Sequence, residues 1–349
     1  MSDSLISAAA MAARTRLFLP ASWPRIDPTP THRGQVNATI GNPKKFMVFV
    51  DFEGTWGMPC EDRSYDLDAT THRILDLLDK HSVNATFFIV GRLLETHPHL
   101  VTLIAARGHI TGLHGYNHEN LLHLGQRQLA QFSSDLYRSE SLMETLTGHR
   151  PIAFRSPYLM APTFFDIRIY SVLEEHGYRY VSNREVRYQQ ELFHPRRLRI
   201  RCTLNKDNIF TKLLDVAINW NLIIHDNIYG HYGVARYISN LQWLVSGCSP
   251  FMRGNIIEVP MYSPLDCDLV GLPMTKDCSE HEIVSYTAST LEGILERRCE
   301  FSALNVHDWI IGTKNRFSIL ERVLQLVSQR PDVECIRLYD IGMATLRRD

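Results

Sequence analysis

Short apolar runs alternate with amphipathic stretches along most of the chain. Phe46–Val50 and Asn84–Val90 are rich in aromatic and β-branched residues, which is typical of buried strands. Between them, apolar residues recur at helical spacing from Leu67 to Leu78. Three further strands follow at the same rhythm: Ile110–Leu113, Ile152–Phe154 and Tyr180–Ser182. Repeats of strand and helix predict parallel β/α units, arranged as an open sheet or a barrel.

Two regions interrupt this rhythm. Residues 1–44 contain four prolines and little periodicity, and we expect an irregular N-terminal arm. Residues 184–254 are rich in Arg, Tyr, Asn and His, and we interpret them as an insertion over the active-site end of a single domain, residues 45–349. The β/α pattern then returns, with alternating predicted strands and helices at Ile256–Val259, Ser285–Leu295, Ala303–Val306, Arg316–Gln329 and Val333–Leu338.

Composition narrows the range of partners. Lys and Arg total 37 against 38 Asp and Glu, so no charge pattern points to nucleic acid or an anionic membrane surface. No apolar run reaches the ~18 residues of a membrane span. Asp3 precedes the short apolar stretch Leu5–Ala13, where an export signal would carry positive charge. The seven cysteines form no C-x-x-C pair, which favours a reducing compartment, and we expect a cytoplasmic protein.

Two acidic residues follow the first strand. Because strand side chains alternate, Asp51 and Glu53 face the same way at its carboxyl end, where parallel β/α folds place their active sites. Two neighbouring acids there require a cation or a shared proton. Taken alone, such a pair is more often two solvated acids at a strand end.

His114 and His118 follow the third strand. If a helical turn begins at His114, the four-residue spacing puts both rings on one face. Because the chain has 16 histidines, this spacing alone is also compatible with one surface and one packed histidine. Joined to an acid, the pair predicts a site of two imidazoles and one carboxylate with open positions, which suits Zn²⁺, Fe²⁺ or Co²⁺.

Three more polar residues lie at or in later strands. Arg155, in Arg155-Ser156-Pro157-Tyr158, is suited to hold a carboxylate ionised, and Pro157 leaves the Tyr158 amide to act as an oxyanion donor. His307 ends an apolar strand and suits proton donation to a leaving amine. Glu258, inside another apolar strand, is expected to support the site or contact the substrate. Structural roles, as a salt bridge or packed histidine, remain open for Arg155 and His307.

The order of these motifs resembles the NodB-like polysaccharide deacetylases of carbohydrate esterase family 4. That family shows an acidic strand end, H-x-x-x-H, R-x-P-[YF] and a late strand that ends in histidine. The stretch Ala85–Gly91 is similar to the family's ATFFVVG, and Gly108–His114 to its GHEIGNH. The resemblance implies an irregular (β/α) barrel of about seven strands.

The resemblance also implies roles for individual residues. Asp51 corresponds to the general base and Glu53 to the metal-binding aspartate. His114 and His118 correspond to the metal histidines. The remaining correspondences are Arg155 orienting Asp51, Tyr158 as oxyanion donor and His307 as general acid. One divalent ion is expected, zinc first, with Fe, Co, Ni or Mn as alternatives.

The chain departs from the family pattern at its first motif. Phe52 separates the two acids, which stand side by side in most of the polysaccharide enzymes, and the second acid is Glu. This D-x-E spacing looks more like intracellular allantoinase-like and cyclic-imide-opening enzymes. The family's fourth motif, an Asp/Trp element, is not evident in residues 184–254. We therefore expect an amidohydrolase that deacetylates a small or carrier-linked amino sugar, with ring opening of a cyclic amide as the alternative. Homo-oligomerisation stays open.

Overall fold

A computed structural model describes most of the chain from residue 43 onward. The described ranges are residues 43–57, 65–121, 124–157, 167–183, 185–186, 249–262, 266, 279–295, 300–342 and 347–348. Nearly all of the predicted N-terminal arm, nearly all of the predicted insertion and Tyr158 lie outside these residues. The last residue of the predicted arm, Lys44, is instead the first residue of a strand.

The strands form a largely parallel sheet. In chain order they are β1 (Lys44–Phe52), β2 (Thr86–Ile89), β3 (Ile110–Leu113), β4 (Ala153–Phe154), β5 (Tyr180–Val181), β6 (Glu185–Val186), β7 (Phe251–Arg253), β8 (Ile256–Glu258), β9 (Met261–Tyr262), β10 (Phe301–His307), β11 (Val333–Cys335) and β12 (Arg347–Arg348). Seven of them lie side by side and parallel, in the order β10, β1, β2, β3, β4, β5, β8. The sheet curls into a partial barrel, which confirms the predicted fold class.

The other strands extend this sheet or stand beside it. Strand β7 pairs antiparallel with β8, β12 pairs parallel with β7, and β11 joins the start of β1. Strands β6 and β9 form a separate two-stranded sheet. In the described parts of the chain, no ladder joins β10 to the far edge at β12, so the barrel does not close there.

Helices connect most of the parallel strands. They span Leu67–Lys80, Gly91–Thr96, Pro98–Ala106, Gln126–Thr147, Ile167–Glu175, Glu280–Leu295, Asp308–Gly312 and Ser318–Ser328, with 3-10 turns at Gly54–Trp56, Thr313–Asn315 and Leu338–Asp340. The side chain of Asp66 caps the first helix by accepting from the Ala69 N–H. None of the described helices has both the length and the apolar content needed to cross a bilayer.

The hydrophobic pattern predicted these elements well. The predicted helix from Leu67 to Leu78 is confirmed at Leu67–Lys80, and its Ile74, Leu75 and Leu78 are fully buried against the sheet. The last predicted strand, Val333–Leu338, ends earlier, at Cys335, and its final residue begins a 3-10 turn. Only the first residues of this segment reach a partner, the start of β1.

Candidate active site

Asp51 and Glu53 lie at the carboxyl end of β1, which lies between β10 and β2 in the parallel sheet. Asp51 is directly opposite His307 on β10, and Val50 is opposite Phe87 on β2. Both carboxylates are buried, with 2% and 3% of their surface exposed. Because solvated acids would be far more exposed, the alternative of two surface carboxylates is excluded, and each needs a compensating partner.

The side chains of Glu53, His114 and His118 converge on one point. The Nε2 atoms of His114 and His118 lie 3.1 Å and 3.0 Å from Oε1 of Glu53, and both rings are buried. The candidate ligand atoms of these three residues all lie within 4.8 Å of one another. Two imidazole nitrogens and one carboxylate oxygen are a donor set that first-row divalent ions accept.

The lone pairs at this point indicate a cation. Nδ1 of His114 lies 3.0 Å from the carbonyl oxygen of Arg155, so it carries the proton and Nε2 presents a lone pair to Oε1. Two acceptors that face each other at 3.1 Å repel unless a cation lies between them. These residues therefore fit a divalent metal ion.

The two histidines meet through a loop, which corrects the expectation of a helical turn. The segment from His114 to His118 contains no helical residue, and the rings lie 5.2 Å apart between centroids. Gly115 has φ +70° and His118 has φ +56°, both in the left-handed region. For His118 this backbone costs on the order of 1 kcal/mol or more, and such strain is common where a binding site is held in place.

Arg155 lies fully buried beneath Asp51. Its Nη1 donates to Oδ1 of Asp51 at 2.8 Å, and its Nε and Nη2 donate to the carbonyl and hydroxyl of Ser182. The guanidinium carbon is 4.7 Å and 4.4 Å from the ring centroids of Phe49 and Phe88. Burial lowers the pKa of Arg155, and the charge of Asp51 opposes that change. The arginine therefore supplies the opposite charge that the buried carboxylate of Asp51 requires.

A second group fixes the other oxygen of Asp51. Nδ2 of Asn305 on β10 donates to Oδ2 at 2.8 Å. Asn305 precedes His307 by two residues and therefore shares its face of the strand. Both oxygens of Asp51 are therefore held in place. Oδ2 lies 3.7 Å from Nε2 of His307 and 3.9 Å from Nε2 of His114.

His307 forms a dyad with an acid that the sequence did not reveal. Nδ1 of His307 lies 3.1 Å and 3.2 Å from the carboxylate oxygens of Asp266, whose side chain is fully buried, and the backbone N–H of His307 donates to the same acid. This contact directs Nε2 toward Asp51 and Glu53, 3.7 Å and 4.0 Å away. The arrangement suits a histidine that carries a proton on Nε2 and releases it.

The two residues after His307, Asp308 and Trp309, position Glu53. Asp308 accepts the N–H groups of Glu53 and Gly54 at 2.7 Å and 3.0 Å, and Tyr65 donates its hydroxyl to the same carboxylate. Burial raises the pKa of Asp308 to about 6. Nε1 of Trp309 donates to Oε2 of Glu53 at 2.7 Å. Oε2 is thus engaged by protein, and Oε1 is left to face the two histidines.

Both carboxylate oxygens of Glu258 accept hydrogen bonds from the protein. The residue is fully buried, accepts the hydroxyl of Tyr170 at 2.5 Å and accepts the N–H of Asn183 at 2.8 Å. The side chain of Asn183 in turn accepts the N–H of Ser156 at 2.7 Å. Of the two expected roles, support of the site fits these contacts, because the chain of bonds holds the residue after Arg155.

Three residues of this site were missed by sequence reasoning. Asn305 lies two residues before His307 on the same strand, and a polar residue inside Leu304-Asn305-Val306 was a usable signal for it. Trp309 lies in the helix that follows, Asp308–Gly312. Asp266 belongs to no strand pattern, and its partner is 41 residues away along the chain. Asp266 lies beyond residues 184–254, where the family's Asp/Trp element was expected.

Comparison with known proteins agrees with this geometry. Residues 41–181 match the family model described as polysaccharide deacetylase. The resemblance inferred from the sequence is confirmed, and the matched range includes all three proposed metal ligands, Asp51 and Arg155. His307 and Asp266 lie beyond it.

Two of the relatives are named as deacetylases of peptidoglycan sugars. A peptidoglycan-N-acetylglucosamine deacetylase of Bacillus cereus is 36% identical over 97 residues, 28% of this chain and 34% of that protein. The peptidoglycan-N-acetylmuramic acid deacetylase PdaA of Bacillus subtilis is 24% identical over 193 residues, 51% of this chain and 67% of its own. The chain thus spans about a third of the length of the first relative.

Solved structures share the fold over most of the chain. A protein of Mycobacterium smegmatis assigned as a polysaccharide deacetylase superposes with a TM-score of 0.57 at 16% identity, over 87% of this chain and 90% of its own. The PuuE allantoinase superposes with a TM-score of 0.56 at 13% identity, over 86% and 90% of the two chains. At these identities the likeness concerns the fold alone.

Proposed function

We propose that this protein is a metal-dependent amide hydrolase that removes the acetyl group from an N-acetylated amino sugar. The observation that carries the proposal is the convergence of His114 and His118 on one oxygen of Glu53, with Asp51 and His307 beside it. The relatives named as deacetylases of peptidoglycan sugars suggest the reaction and the substrate class.

Each side chain has a distinct task in this reaction. Glu53, His114 and His118 would hold the divalent cation, which supplies Lewis acidity to the carbonyl oxygen and to water. Asp51, kept ionised by Arg155, takes a proton from the water that attacks the carbonyl carbon.

The C–N bond then breaks as His307 gives its Nε2 proton to the departing nitrogen, and Asp266 holds the ring in place for that transfer. The products are a free amine and acetate. The oxyanion role assigned to the Tyr158 amide stays a prediction, since Tyr158 lies outside the described residues.

The finer features of the substrate are part of the proposal. A small or carrier-linked amino sugar as the substrate, and a cytoplasmic location, stay predictions from the sequence. Zinc is the first choice of metal, because the ligand set of two imidazoles and a carboxylate suits it. Opening of a cyclic amide remains the alternative drawn from the D-x-E spacing, and it would use the same residues.

Turnover of two substrate classes by one preparation tests the proposal. The metal-loaded protein is assayed for acetate release from N-acetylated glucosamine saccharides and for ring opening of allantoin. Acetate release that disappears in Asp51→Asn, while the metal content stays at the wild-type level, supports the proposed reaction. Ring opening without acetate release would establish the alternative, and undiminished acetate release by Asp51→Asn would remove Asp51 from the mechanism.

A further inference from the structure

An exposed tryptophan stands at the rim of the candidate metal site. In the part of the chain that the structure describes, three large hydrophobic side chains are exposed: Trp56, Tyr137 and Tyr339. Trp56 is 42% exposed and lies in the 3-10 turn that directly follows Glu53. Its backbone N–H donates to the carbonyl oxygen of Glu53 at 3.1 Å, so its position is tied to that of the metal-binding acid.

The indole of Trp56 is in contact with Arg92, which also contacts Tyr116. The guanidinium carbon of Arg92 lies 5.8 Å from the Trp56 ring centroid and 4.7 Å from that of Tyr116. Nε of Arg92 donates to Oδ1 of Asn117 at 2.7 Å. Asn117 directly precedes His118, so the contacts form a continuous strip between two ligand-bearing segments. An aromatic ring held in this way loses little conformational entropy when a ligand stacks on it.

The strip lies beside the metal position and not over it. Oε1 of Glu53 faces the two histidines, whereas Oε2 faces Trp309 and the backbone of Gly57, the neighbour of Trp56. Trp56 therefore belongs to the segment next to Oε2 of Glu53, the oxygen that is turned away from the histidines. A sugar whose acetamide reaches Asp51 and His307 occupies the histidine side, so the indole is placed for the next unit along the chain.

We propose that Trp56 and Arg92 form a binding subsite for the saccharide unit adjacent to the one that is deacetylated. The flat face of a pyranose ring presents C–H groups to the negative face of an indole, and a guanidinium donates to hydroxyl or acetamido oxygens. This inference rests on the proposed function. With this subsite, a short N-acetylated oligosaccharide, free or carrier-linked, is a better substrate than a single amino sugar.

The discriminating quantity is the ratio of kcat/KM for triacetylchitotriose to kcat/KM for N-acetylglucosamine. We expect the ratio to fall about tenfold in Trp56→Ala, mostly through the KM of the trisaccharide, because one aromatic stacking contact is lost. Trp56→Phe should restore part of the ratio. Tyr137→Ala removes another exposed aromatic, 65% exposed on the helix Gln126–Thr147, and should leave the ratio at the wild-type value.

Binding to a metal-loaded Asp51→Asn variant separates failure of the subsite from failure of the proposed function. Calorimetry on this variant should show tighter binding of triacetylchitotriose than of N-acetylglucosamine. In the double variant Asp51→Asn/Trp56→Ala, this difference in affinity should disappear. A length preference that persists in Trp56→Ala, or no length preference at all, overturns the subsite even if acetate is released. Absence of acetate release with intact, Trp56-dependent binding would overturn the reaction and leave the subsite standing.

Discussion

Nε1 of Trp309 donates to Oε2 of Glu53 at 2.7 Å, across 256 residues of sequence. The bond commits one oxygen of the acid to the protein and leaves the other for the two histidines. The family's metal-binding aspartate is replaced here by a glutamate, whose longer side chain has one more rotatable bond. A fixed second oxygen compensates for that freedom, because the carboxylate can then rotate less.

Trp309→Phe should weaken metal binding. The variant keeps an aromatic side chain but loses the N–H donor, and loss of a hydrogen bond to a metal ligand raises the metal Kd by about tenfold or more. Competition with a chelator of known affinity measures this Kd. Trp56→Phe makes the same change at an indole with no hydrogen bond to the carboxylate and should keep the wild-type Kd. Equal affinities for Trp309→Phe and the wild type would show that the bond does not tune the site.

Gly57→Ala should displace the carboxylate directly. A Cβ atom at Gly57 would lie 1.7 Å from Oε2 of Glu53 and 2.5 Å from Nε1 of Trp309. The backbone itself tolerates alanine, since Gly57 has φ −83°. We expect a rise in the metal Kd of about tenfold or more, as for other losses of ligand orientation.

The control for Gly57→Ala is Gly342→Ala, because a Cβ at Gly342 meets no atom within 4 Å. It should bind metal like the wild type. Chelator competition on both variants makes the comparison, and wild-type affinity in Gly57→Ala would mean that Glu53 is not confined by this backbone.

Arg155→Met should strongly destabilise the fold, because it leaves the buried Asp51 without its cation. Breaking a buried ion pair from one side costs about 3–5 kcal/mol. Asp51→Asn removes the negative charge, so the double variant should recover part of that loss. Urea unfolding of the two single variants and the double variant gives the coupling free energy, which we expect to be about 2 kcal/mol or more. Additive losses would mean that the two side chains do not depend on each other.

His109 should make stability depend on pH far from the active site. Its Nδ1 accepts the N–H of Ala85 at 3.3 Å, and burial lowers its pKa from 6.5 to about 4. Between these values the unfolded chain binds a proton that the folded chain does not. This contribution to stability is therefore complete above pH 6.5 and decreases as the pH falls toward 4.

The measurement compares wild type with His109→Asn by urea unfolding at pH 7 and pH 4.5. Wild type should lose roughly 2–3 kcal/mol more than the variant over this interval, because a pKa difference of one unit corresponds to 1.4 kcal/mol. His149→Asn replaces an exposed histidine and should follow the wild-type curve. Parallel losses in His109→Asn and the wild type would show that His109 ionises in the folded state.

Sequence patterns located the sheet and most of the site because both depend on periodicity. Asp51 and His307 could be placed at strand ends, and parallel strands bring such ends to one edge of the sheet. The path of the chain between His114 and His118 could not be inferred, since it depends on left-handed backbone at two loop residues. Spacing reports which residues are near in sequence, and it cannot distinguish a helical turn from a loop over five residues.

Side chains that reach the site from remote segments could not be predicted from the sequence either. Asp266 and Trp309 act through contacts made only after the sheet has assembled, and neither carries a motif of its own in the sequence. Their residue types became meaningful once His307 and Glu53 had fixed positions. The role of Tyr158 remains a sequence-based prediction for a residue outside the described ranges.

Metal content and position decide whether Glu53, His114 and His118 form a metal centre. Elemental analysis of the purified protein, joined to anomalous scattering from a crystal, gives both at once. We expect one divalent ion per chain bonded to Nε2 of both histidines and Oε1 of Glu53, and its loss in His114→Ala but not in His149→Ala. A stoichiometric ion retained in His114→Ala, or anomalous signal away from these three atoms, would contradict the metal centre on which the proposed chemistry depends.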